Sequence, residues 1–396
     1  MTNAVIPALA PHLPSLREAA AREPLGLYLH IPFCKDRCTY CSFVTTRDQG
    51  LKASALARLE ADLQVWGQAL NHPEVDTLYL GGGTPSILTT EEITSLVRVA
   101  KDAFNFAPLM EATLEANPGT VDLAWMKAVR KLGFDRLSLG IQTLDDTLLS
   151  HLGRIHDGAG GINALLMAQE AGFHRVSADL MVGIPGQRLD RVVSDARTLI
   201  AAGATHLSVY MLDLDKNCPL KAQVDAGKLH LPSDDDVADV FEALQAELPK
   251  LGLEPYEISN YAIPGELSLH NTRYWERRPY LGLGPSAASH LDRWRWTESE
   301  VIQAWAEGRG KADVQELDAA ADLAEIPLLG LRMHRGIDWE ALQHHAALLD
   351  LRHLVDGWEV ALKPFLQHGL LAREGPILRF TNRGMLLSNT VLETFI

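Results

Sequence analysis

Apolar segments of strand length alternate with amphipathic segments of helix length along most of the chain. The predicted strands cover 27–31, 75–80, 111–115, 136–142, 176–182, 206–212 and 254–259. Strands that are separated by helices pair in parallel through right-handed crossovers. Six or seven such units fall short of the eight in a closed barrel. The sequence therefore predicts an α/β fold, a partial (β/α)6 barrel with extra strands at its edge.

Both ends of the chain depart from this alternation. Residues 1–24 contain four prolines and predict an extended or poorly ordered lead-in without a secretory signal. Residues 316–396 contain apolar helices followed by a short hairpin, which predicts a winged-helix-like α+β module. We therefore expect a lead-in at 1–24, a barrel with its edge extension at 25–300 and a C-terminal domain at 301–396.

Charge and hydropathy restrict the partners. The 396 residues have a net charge of −15, which disfavours a nucleic-acid partner because phosphates require a basic surface. Asp and Glu also outnumber Lys and Arg in the C-terminal module. No apolar run reaches the roughly 18 residues that a membrane span needs. We expect a cytoplasmic protein, although a protein partner of this chain can still be membrane-associated.

Three of the four cysteines lie in one loop directly after the first predicted strand. Cys34, Cys38 and Cys41 form a C-x3-C-x2-C pattern, which suits a [4Fe-4S] cluster with three cysteine-bound irons and one open iron. An open iron can chelate the amino and carboxylate groups of S-adenosylmethionine, and the reduced cluster can then release a 5′-deoxyadenosyl radical. The loop also lies where barrels of this kind place their chemistry, after the carboxyl end of a strand.

A structural zinc site is the main alternative for this loop, with His30 or a remote group as the fourth ligand. Zinc sites usually combine two separated C-x2-C pairs, and this chain has no second pair. A disulfide within the loop would use two of its three cysteines and leave the third unpaired, which disfavours this alternative. Cys218 lies in another segment, where we expect an inert thiol.

Polar residues and glycines follow the next predicted strands or end them. The candidate residues are Gly82, Gly83, Thr84, Glu115, Gln142, Arg154 and Asp179. A glycine run allows the backbone to approach a ligand closely. Glu115 either faces the active edge or caps the next helix, and Arg154 can pair with Glu115 or with a cofactor carboxylate. Asp179 lies in an apolar strand, where a carboxylate needs a hydrogen-bond partner such as a ribose diol.

Two segments carry a family resemblance. Residues 28–34, Tyr-Leu-His-Ile-Pro-Phe-Cys, and 81–85, Gly-Gly-Gly-Thr-Pro, resemble the radical S-adenosylmethionine (radical SAM) superfamily. The first segment looks like the oxygen-independent coproporphyrinogen III oxidase branch, and the resemblance runs from about residue 25 to the end. It implies a barrel of the radical SAM type. It also implies that Tyr28, Tyr40 and the candidate residues above surround S-adenosylmethionine, with Tyr40 touching the adenine.

Two features distinguish the members of that branch, which contains porphyrinogen oxidases and HemW-type heme chaperones. The oxidases carry a fourth cysteine two residues after the third and a longer N-terminal arm, whereas Phe43 occupies that position here. Residues 270–275, His-Asn-Thr-Arg-Tyr-Trp, resemble a motif that the chaperones associate with heme. The resemblance implies that His270 contacts heme, and imidazole can ligate heme iron. The alternative is a packed aromatic corner in which His270 is hydrogen-bonded to backbone.

The favoured function is a heme chaperone that binds a [4Fe-4S] cluster, S-adenosylmethionine and heme and delivers heme to an acceptor protein. One alternative is an oxygen-independent coproporphyrinogen III oxidase, which Phe43 disfavours. Another is a radical SAM methylase or cyclopropanase that acts on a small metabolite. A structural zinc protein remains as the non-radical alternative. Whether the chain is an enzyme stays open, but we expect no coproporphyrinogen III dehydrogenase activity.

Overall fold

The computed structural model describes residues 5–106, 110–214 and 218–396. Its strands are β1 (Leu25–Ile31), β2 (Val75–Gly82), β3 (Glu111–Ala116), β4 (Arg136–Gln142), β5 (Arg175–Val182), β6 (His206–Met211), β7 (Glu254–Pro255), β8 (Asn260–Ala262), β9 (Tyr280–Leu283), β10 (Ala288–Leu291), β11 (Trp294–Thr297), β12 (Asp313–Glu316), β13 (Ile337–Asp338), β14 (Leu371–Glu374) and β15 (Ile377–Phe380). Its helices are α1 (Val5–Leu9), α2 (Leu13–Arg22), α3 (Lys52–Ala69), α4 (Thr90–Ala103), α5 (Leu123–Lys131), α6 (Asp146–His151), α7 (Gly158–Glu170), α8 (Leu189–Ala201), α9 (Pro219–Asp225), α10 (Asp234–Glu247), α11 (Leu269–Trp275), α12 (Ile302–Ala306), α13 (Ala319–Gly330), α14 (Trp339–Leu348), α15 (Arg352–Gln367), α16 (Asn382–Leu386) and α17 (Ser388–Leu392).

The large sheet is parallel at its centre and antiparallel at its edges. Strands β1 to β6 lie side by side in chain order, and each pairs in parallel with the next. β9 adds a further parallel strand beside β1, and β10 to β12 continue that edge in antiparallel pairs. The predicted α/β class and the partial barrel with edge strands are confirmed.

The predicted seventh parallel strand at 254–259 is wrong. The structure has two short strands there, β7 and β8, which pair with each other in antiparallel fashion. β8 also runs antiparallel to β6. The chain therefore turns back on itself after α10 instead of crossing over to extend the parallel sheet, and Pro255 offers no backbone N–H for a longer ladder.

Alternate residues of the central strands face opposite sides of the sheet. In β4, Leu137, Leu139 and Ile141 are fully buried in the main apolar core, which also contains residues of the covering helices. Arg136 and Ser138 face the inner side, where they line a cavity. The period of two along each strand thus separates the core from the functional face. Each fully buried leucine contributes about 1.5–3 kcal/mol to stability.

The N-terminal segment is helical, which corrects the predicted extended lead-in over its described part. α1 and α2 occupy residues 5–22, and Val5, Leu9 and Leu16 are fully buried in the main core. Pro14 lies in the first turn of α2, where the missing N–H costs no hydrogen bond. Pro11 and Pro14 therefore lie at helix starts, and only Pro24 falls between α2 and β1.

The C-terminal module has its own apolar core. Helices α13 to α17 pack with a small antiparallel sheet in the order β13-β15-β14, and the core includes Leu323, Trp339 and Phe380. The predicted winged-helix-like α+β module is confirmed. The boundary at 300/301 stays a prediction; because β12 pairs with β11 in the large sheet, we propose that the boundary follows β12. Within the described ranges, none of the helices has the length and apolar character to cross a membrane.

Candidate cofactor site

The cysteine loop follows β1 and closes over the carboxyl ends of the strands. Cys34 is buried, Cys38 and Cys41 are half-buried, and all three thiols are free. The Cys34 N–H donates to the Thr46 carbonyl at 3.0 Å, which fastens the start of the loop to its end. The Thr39 N–H donates to the Leu152 carbonyl at 3.0 Å. The loop is thereby held against the segment after β4.

One cavity of about 490 Å³ gathers almost the whole predicted site. The predicted residues that line it are Cys34, Cys38, Tyr40, Cys41, Gly82, Gly83, Thr84, Glu115, Gln142, Arg154 and Asp179. We call it the main cavity. Tyr28 and His270 are not in its wall.

The glycine turn after β2 packs against the cysteine loop. The Gly83 N–H donates to the Ile31 carbonyl and the Thr84 N–H to the Phe33 carbonyl, both at 2.8 Å. A Cβ atom on Gly83 would lie 2.8 Å from the Phe33 oxygen, and one on Gly82 would lie 2.6 Å from the His30 ring. Gly82 also has φ of 110°. These glycines are thus needed for the contact between the two loops, a reason that the sequence alone did not suggest.

Two carboxyl groups lie deep in the main cavity. Glu115 accepts hydrogen bonds from the Tyr79 hydroxyl at 2.7 Å and from the Gly82 N–H at 3.0 Å. Burial raises the pKa of Glu115 above its ordinary value. Burial, followed by the nearby charge of Glu115, raises the pKa of Asp179 to about 7. Asp179 can therefore donate or accept a hydrogen bond near neutral pH.

Arg154 and Gln142 approach the cavity from the segment that ends β4. The guanidinium of Arg154 donates to the Gly140 carbonyl and, at 3.4 Å, to Cys38 Sγ. Arg154 and Glu115 form no ion pair within the described residues, so that suggested pairing is wrong for this structure. Arg154 Nε is buried without a partner among those residues. Gln142 has φ of 74°, an unfavourable conformation that is frequent at functional sites, and it accepts a hydrogen bond from Tyr210.

Tyr28 lines a second cavity of about 310 Å³ beside the main one. Gly82, Glu115 and Phe43 belong to the walls of both cavities, so the two are neighbours. The Tyr28 hydroxyl lies 3.0 Å from His30 Nδ1, and His30 Nε2 lies 3.1 Å from the Val44 carbonyl. Both ring nitrogens of His30 are thus engaged, which disfavours His30 as a zinc ligand. Phe43 is 63% exposed at the rim.

His270 is a core residue in this structure, and the predicted heme contact at His270 is not accessible. The side chain is fully buried; its Nδ1 lies 2.9 Å from Thr77 Oγ1 and its Nε2 lies 2.9 Å from the Tyr274 hydroxyl. Burial, followed by the positive charges of Arg273 and Arg136, lowers the pKa of His270 to about 3. In this structure His270 thus lies in a packed aromatic corner, but its partners are the hydroxyls of Thr77 and Tyr274 rather than backbone, and its contact with heme stays a prediction.

Several residues of the main cavity were missed by sequence reasoning. They are Tyr79, Arg136, Ser138, Ser208, Asn260 and Asn271. Arg136 and Ser138 alternate with Leu137 and Leu139, so a strict period-two analysis of β4 would have placed them on the inner face. Asn260 begins the short strand β8, which the sequence did not predict, and Asn271 lies in α11 within the 270–275 motif, where attention went to His270 instead.

The three free thiols form one donor set in the wall of the main cavity. Within the described part of the chain, no three His, Cys, Asp or Glu side chains are close enough together to hold one metal ion. A zinc site requires its thiolates at about 2.3 Å from the same ion. The three free cysteines instead share the wall of one large cavity.

Comparisons with known proteins agree with the geometry. The model of the radical SAM superfamily matches residues 28–199, and the model of the HemN C-terminal domain matches residues 317–387. The structure of the coproporphyrinogen III oxidase HemN from Escherichia coli, described as a radical SAM enzyme, has a TM-score of 0.83 at 23% identity and covers 96% of this chain and 93% of its own. That likeness concerns the fold alone. The chain is a member of the radical SAM superfamily.

Two relatives narrow this class. The chain is 33% identical over 383 residues to the heme chaperone HemW of Mycobacterium tuberculosis, which covers 94% of this chain and 95% of that protein. It is 30% identical to the heme chaperone HemW of Bacillus subtilis, in an alignment that covers 93% of this chain and 98% of that protein. Within the superfamily, the chain belongs to the HemW family.

Proposed function

We propose that this protein is a heme chaperone that binds a [4Fe-4S] cluster, S-adenosylmethionine and heme and passes heme to an acceptor protein. The single observation that carries this proposal is the 33% identity to the heme chaperone of M. tuberculosis over nearly the whole of both chains. The geometry of the site supports the first two ligands. The geometry supports heme less directly, because His270 is fully buried and lines neither cavity.

Cys34, Cys38 and Cys41 would hold the cluster. They are free, they lie in one loop, and they share a cavity, which is the donor set that a cluster with one open iron requires. When bound, such a cluster supplies electrons to the sulfonium of S-adenosylmethionine. Thr84 Oγ1 lies 3.5 Å from Cys34 Sγ, and Arg154 Nη1 lies 3.4 Å from Cys38 Sγ. These two donors would stabilise the negative charge on the thiolates.

The rest of the main cavity suits S-adenosylmethionine. Arg154 Nε is buried and unpartnered among the described residues, so it can donate to a ligand carboxylate. Asp179 sits between protonation states near neutral pH, which suits a hydrogen bond to a ribose hydroxyl. Tyr40 offers an aromatic face from the cysteine loop. We assign Gly82, Gly83, Thr84, Glu115 and Gln142 to the same ligand as parts of one continuous wall.

Phe43 separates this proposal from the oxidase alternative. The position that a fourth cysteine takes in the oxidases holds an exposed phenylalanine here, at the rim of both cavities. An aromatic side chain of this kind suits the flat apolar face of a macrocycle. We also propose a reducing, cytoplasmic setting, since all four cysteines are free and the cluster would be sensitive to oxygen.

Anaerobic reconstitution tests the proposal. The protein is incubated with iron and sulfide, and absorbance is recorded before and after addition of S-adenosylmethionine and heme. We expect the broad absorbance of a [4Fe-4S] cluster, a change in its reduced spectrum with S-adenosylmethionine, and a saturable Soret band with heme. Tightly bound zinc with no cluster would contradict the radical SAM assignment, whereas a cluster without heme binding would contradict the chaperone alone.

A further inference from the structure

Arg136 is a buried cation that makes no direct hydrogen bond or ion pair with the described residues, and its charge acts on Glu115 and Asp179 only through space. It is 2% exposed, and its side chain lines the main cavity. Across residues 5–106, 110–214 and 218–396, no carboxylate lies within 4.0 Å of its guanidinium and no acceptor forms a hydrogen bond with it. Other buried arginines differ: Arg58 pairs with Asp62 at 2.8 Å, and Arg273 pairs with Asp76. An unpaired charge in the interior is strongly unfavourable unless a ligand or ion completes it.

The carboxyl groups nearest to Arg136 are engaged elsewhere. Glu115 accepts from Tyr79 and from the Gly82 backbone, and Asp179 accepts from Ser138 at 3.4 Å. Besides Arg154 Nε, the same cavity contains the unsatisfied acceptor Asn260 Oδ1, which is buried without a partner among the described residues. The inner wall of the main cavity thus offers a free donor fork and a free acceptor, as a polar ligand would require.

We propose that Arg136 forms an anion subsite, on the inner wall of the main cavity, for a carboxylate carried by an organic ligand, an inference that rests on the proposed function for the identity of its ligands. A guanidinium binds a carboxylate through two parallel hydrogen bonds, which fits the planar fork of Arg136. The two ligands that the proposed function supplies both carry carboxylates. They are the methionine part of S-adenosylmethionine and the propionates of heme.

Position along β4 favours the propionate. Arg136 begins the strand and Gln142 ends it, so at about 3.3 Å per residue their Cα atoms lie at most roughly 20 Å apart, less the shortening by the irregularity between Leu139 and Gln142. The cysteine loop lies at the carboxyl end of the sheet, near Gln142. A carboxylate chelated by the cluster would remain there, whereas the subsite of Arg136 lies deeper. The position of Arg136 at the start of β4 therefore suits a heme propionate better than the methionine carboxylate of S-adenosylmethionine.

Calorimetric titration of four anaerobically reconstituted proteins tests this subsite. They are the wild type, Arg136→Met, Arg136→Lys and, as control, Arg98→Met, whose side chain is 62% exposed on α4. Each is titrated with heme, with heme dimethyl ester, whose propionates carry no charge, and with S-adenosylmethionine. The thermal midpoint of each ligand-free protein is recorded as well.

We expect Arg136→Met to weaken heme binding by about tenfold or more, with partial rescue in Arg136→Lys and no change in Arg98→Met. The ester should bind both the wild type and Arg136→Met with similar, weak affinity. A loss confined to S-adenosylmethionine would support the subsite and assign it to the methionine carboxylate. The ligand-free midpoint of Arg136→Met should stay close to that of the wild type, because Arg136 makes no direct bond that would be lost and the buried Glu115 and Asp179 can take up protons once the cation is gone.

Two results would overturn the subsite. Arg136→Met could bind heme and S-adenosylmethionine like the wild type, or it could lose heme and the ester equally while its midpoint falls, as expected for a purely structural arginine. Failure of the wild type to bind heme would instead contradict the proposed function. In that case, the titrations with S-adenosylmethionine and the thermal midpoints would show whether Arg136 binds a ligand carboxylate or is purely structural.

Discussion

At the scale of single residues, burial decides the chemistry of His270. Its ring is enclosed between Thr77 and Tyr274, and it stays neutral because burial lowers its pKa to about 3. In an unfolded chain, the pKa of histidine is about 6.5. Between these values the unfolded state binds the extra proton, so stability that is fully present above pH 6.5 is lost as the pH falls towards 3.

We therefore expect His270→Leu to destabilise the protein at pH 7.5 by about 1–3 kcal/mol, because two buried hydroxyls lose their partner. The difference from the wild type should shrink at pH 5.5, by at most about 1.4 kcal/mol per pH unit below 6.5, since the variant lacks this titration. Denaturant unfolding of both proteins at pH 7.5 and pH 5.5 measures this difference in the free energy of unfolding. An equal difference at both would contradict a neutral His270, and a weaker Soret titration of the variant would restore His270 as a heme contact.

Gly82 shows how backbone geometry joins the two loops of the site. A side chain there meets the His30 ring and forces an unfavourable φ, at about 1–2 kcal/mol. We expect Gly82→Ala to reduce the effect of S-adenosylmethionine on the electron paramagnetic resonance spectrum of the reduced cluster. Gly172→Ala is the matched control, because Gly172 has φ of 90° with open space around it. Equal effects in both variants would reduce the role of Gly82 to backbone strain.

Residues at strand ends were predictable, and residues lower in the barrel were not. Glu115, Gln142 and Asp179 interrupt apolar strands near their carboxyl ends, where the fold class places chemistry. Arg136 was overlooked because it begins its strand, where a charge usually marks a solvated end. Its alternation with the buried Leu137 and Leu139 already indicates the inner face, and the structure places its side chain there.

At the scale of elements, the cysteine loop follows β1, and its end at Thr46 is hydrogen-bonded back to its start at Pro32 and Cys34. Cys218 lies in an apolar cluster with Leu148 and Met181, against which Tyr40 of the loop packs, and it is not among the residues that line the main cavity. The element predictions succeeded where a strand is buried on both faces, as for β1 to β6. They failed at 254–259 and 1–24, where tertiary contacts decide whether a short apolar segment turns back or packs as a helix.

We expect alanine at any one of Cys34, Cys38 or Cys41 to abolish the brown absorbance of the reconstituted cluster. The reason is that a thiolate ligand cannot be replaced by water or by a distant side chain. Cys218→Ala is the matched control and should retain the full absorbance and iron content. Iron bound at the wild-type level in the triple variant would disprove the ligand assignment.

At the scale of the whole molecule, one sheet joins the cofactor cavities to the edge strands, and the C-terminal module packs beside it. The isolated bridge between Glu257 and Met333 links the β7–β8 hairpin to the segment after α13. The fold closely follows that of a coproporphyrinogen III oxidase, but the exposed Phe43 distinguishes the rim of the cavities. Similar folds thus leave room for different functions.

We expect no conversion of coproporphyrinogen III to protoporphyrinogen IX by the reconstituted protein with S-adenosylmethionine and a reductant. Mass spectrometry of anaerobic reactions measures this, with the E. coli oxidase as positive control. Product formed over many turnovers would show that Phe43 does not prevent the reaction, and it would favour the oxidase alternative.

The most direct measurement of the central claim is the transfer of heme from the reconstituted, heme-loaded protein to an apo-heme protein, followed by the shift of the Soret band. We expect saturable heme loading, retention of the [4Fe-4S] absorbance during loading, and movement of the Soret band to that of the acceptor at a rate above the release of free heme. Two results would contradict the proposed function. The protein could fail to load heme, or it could release heme no faster with an acceptor protein than without one.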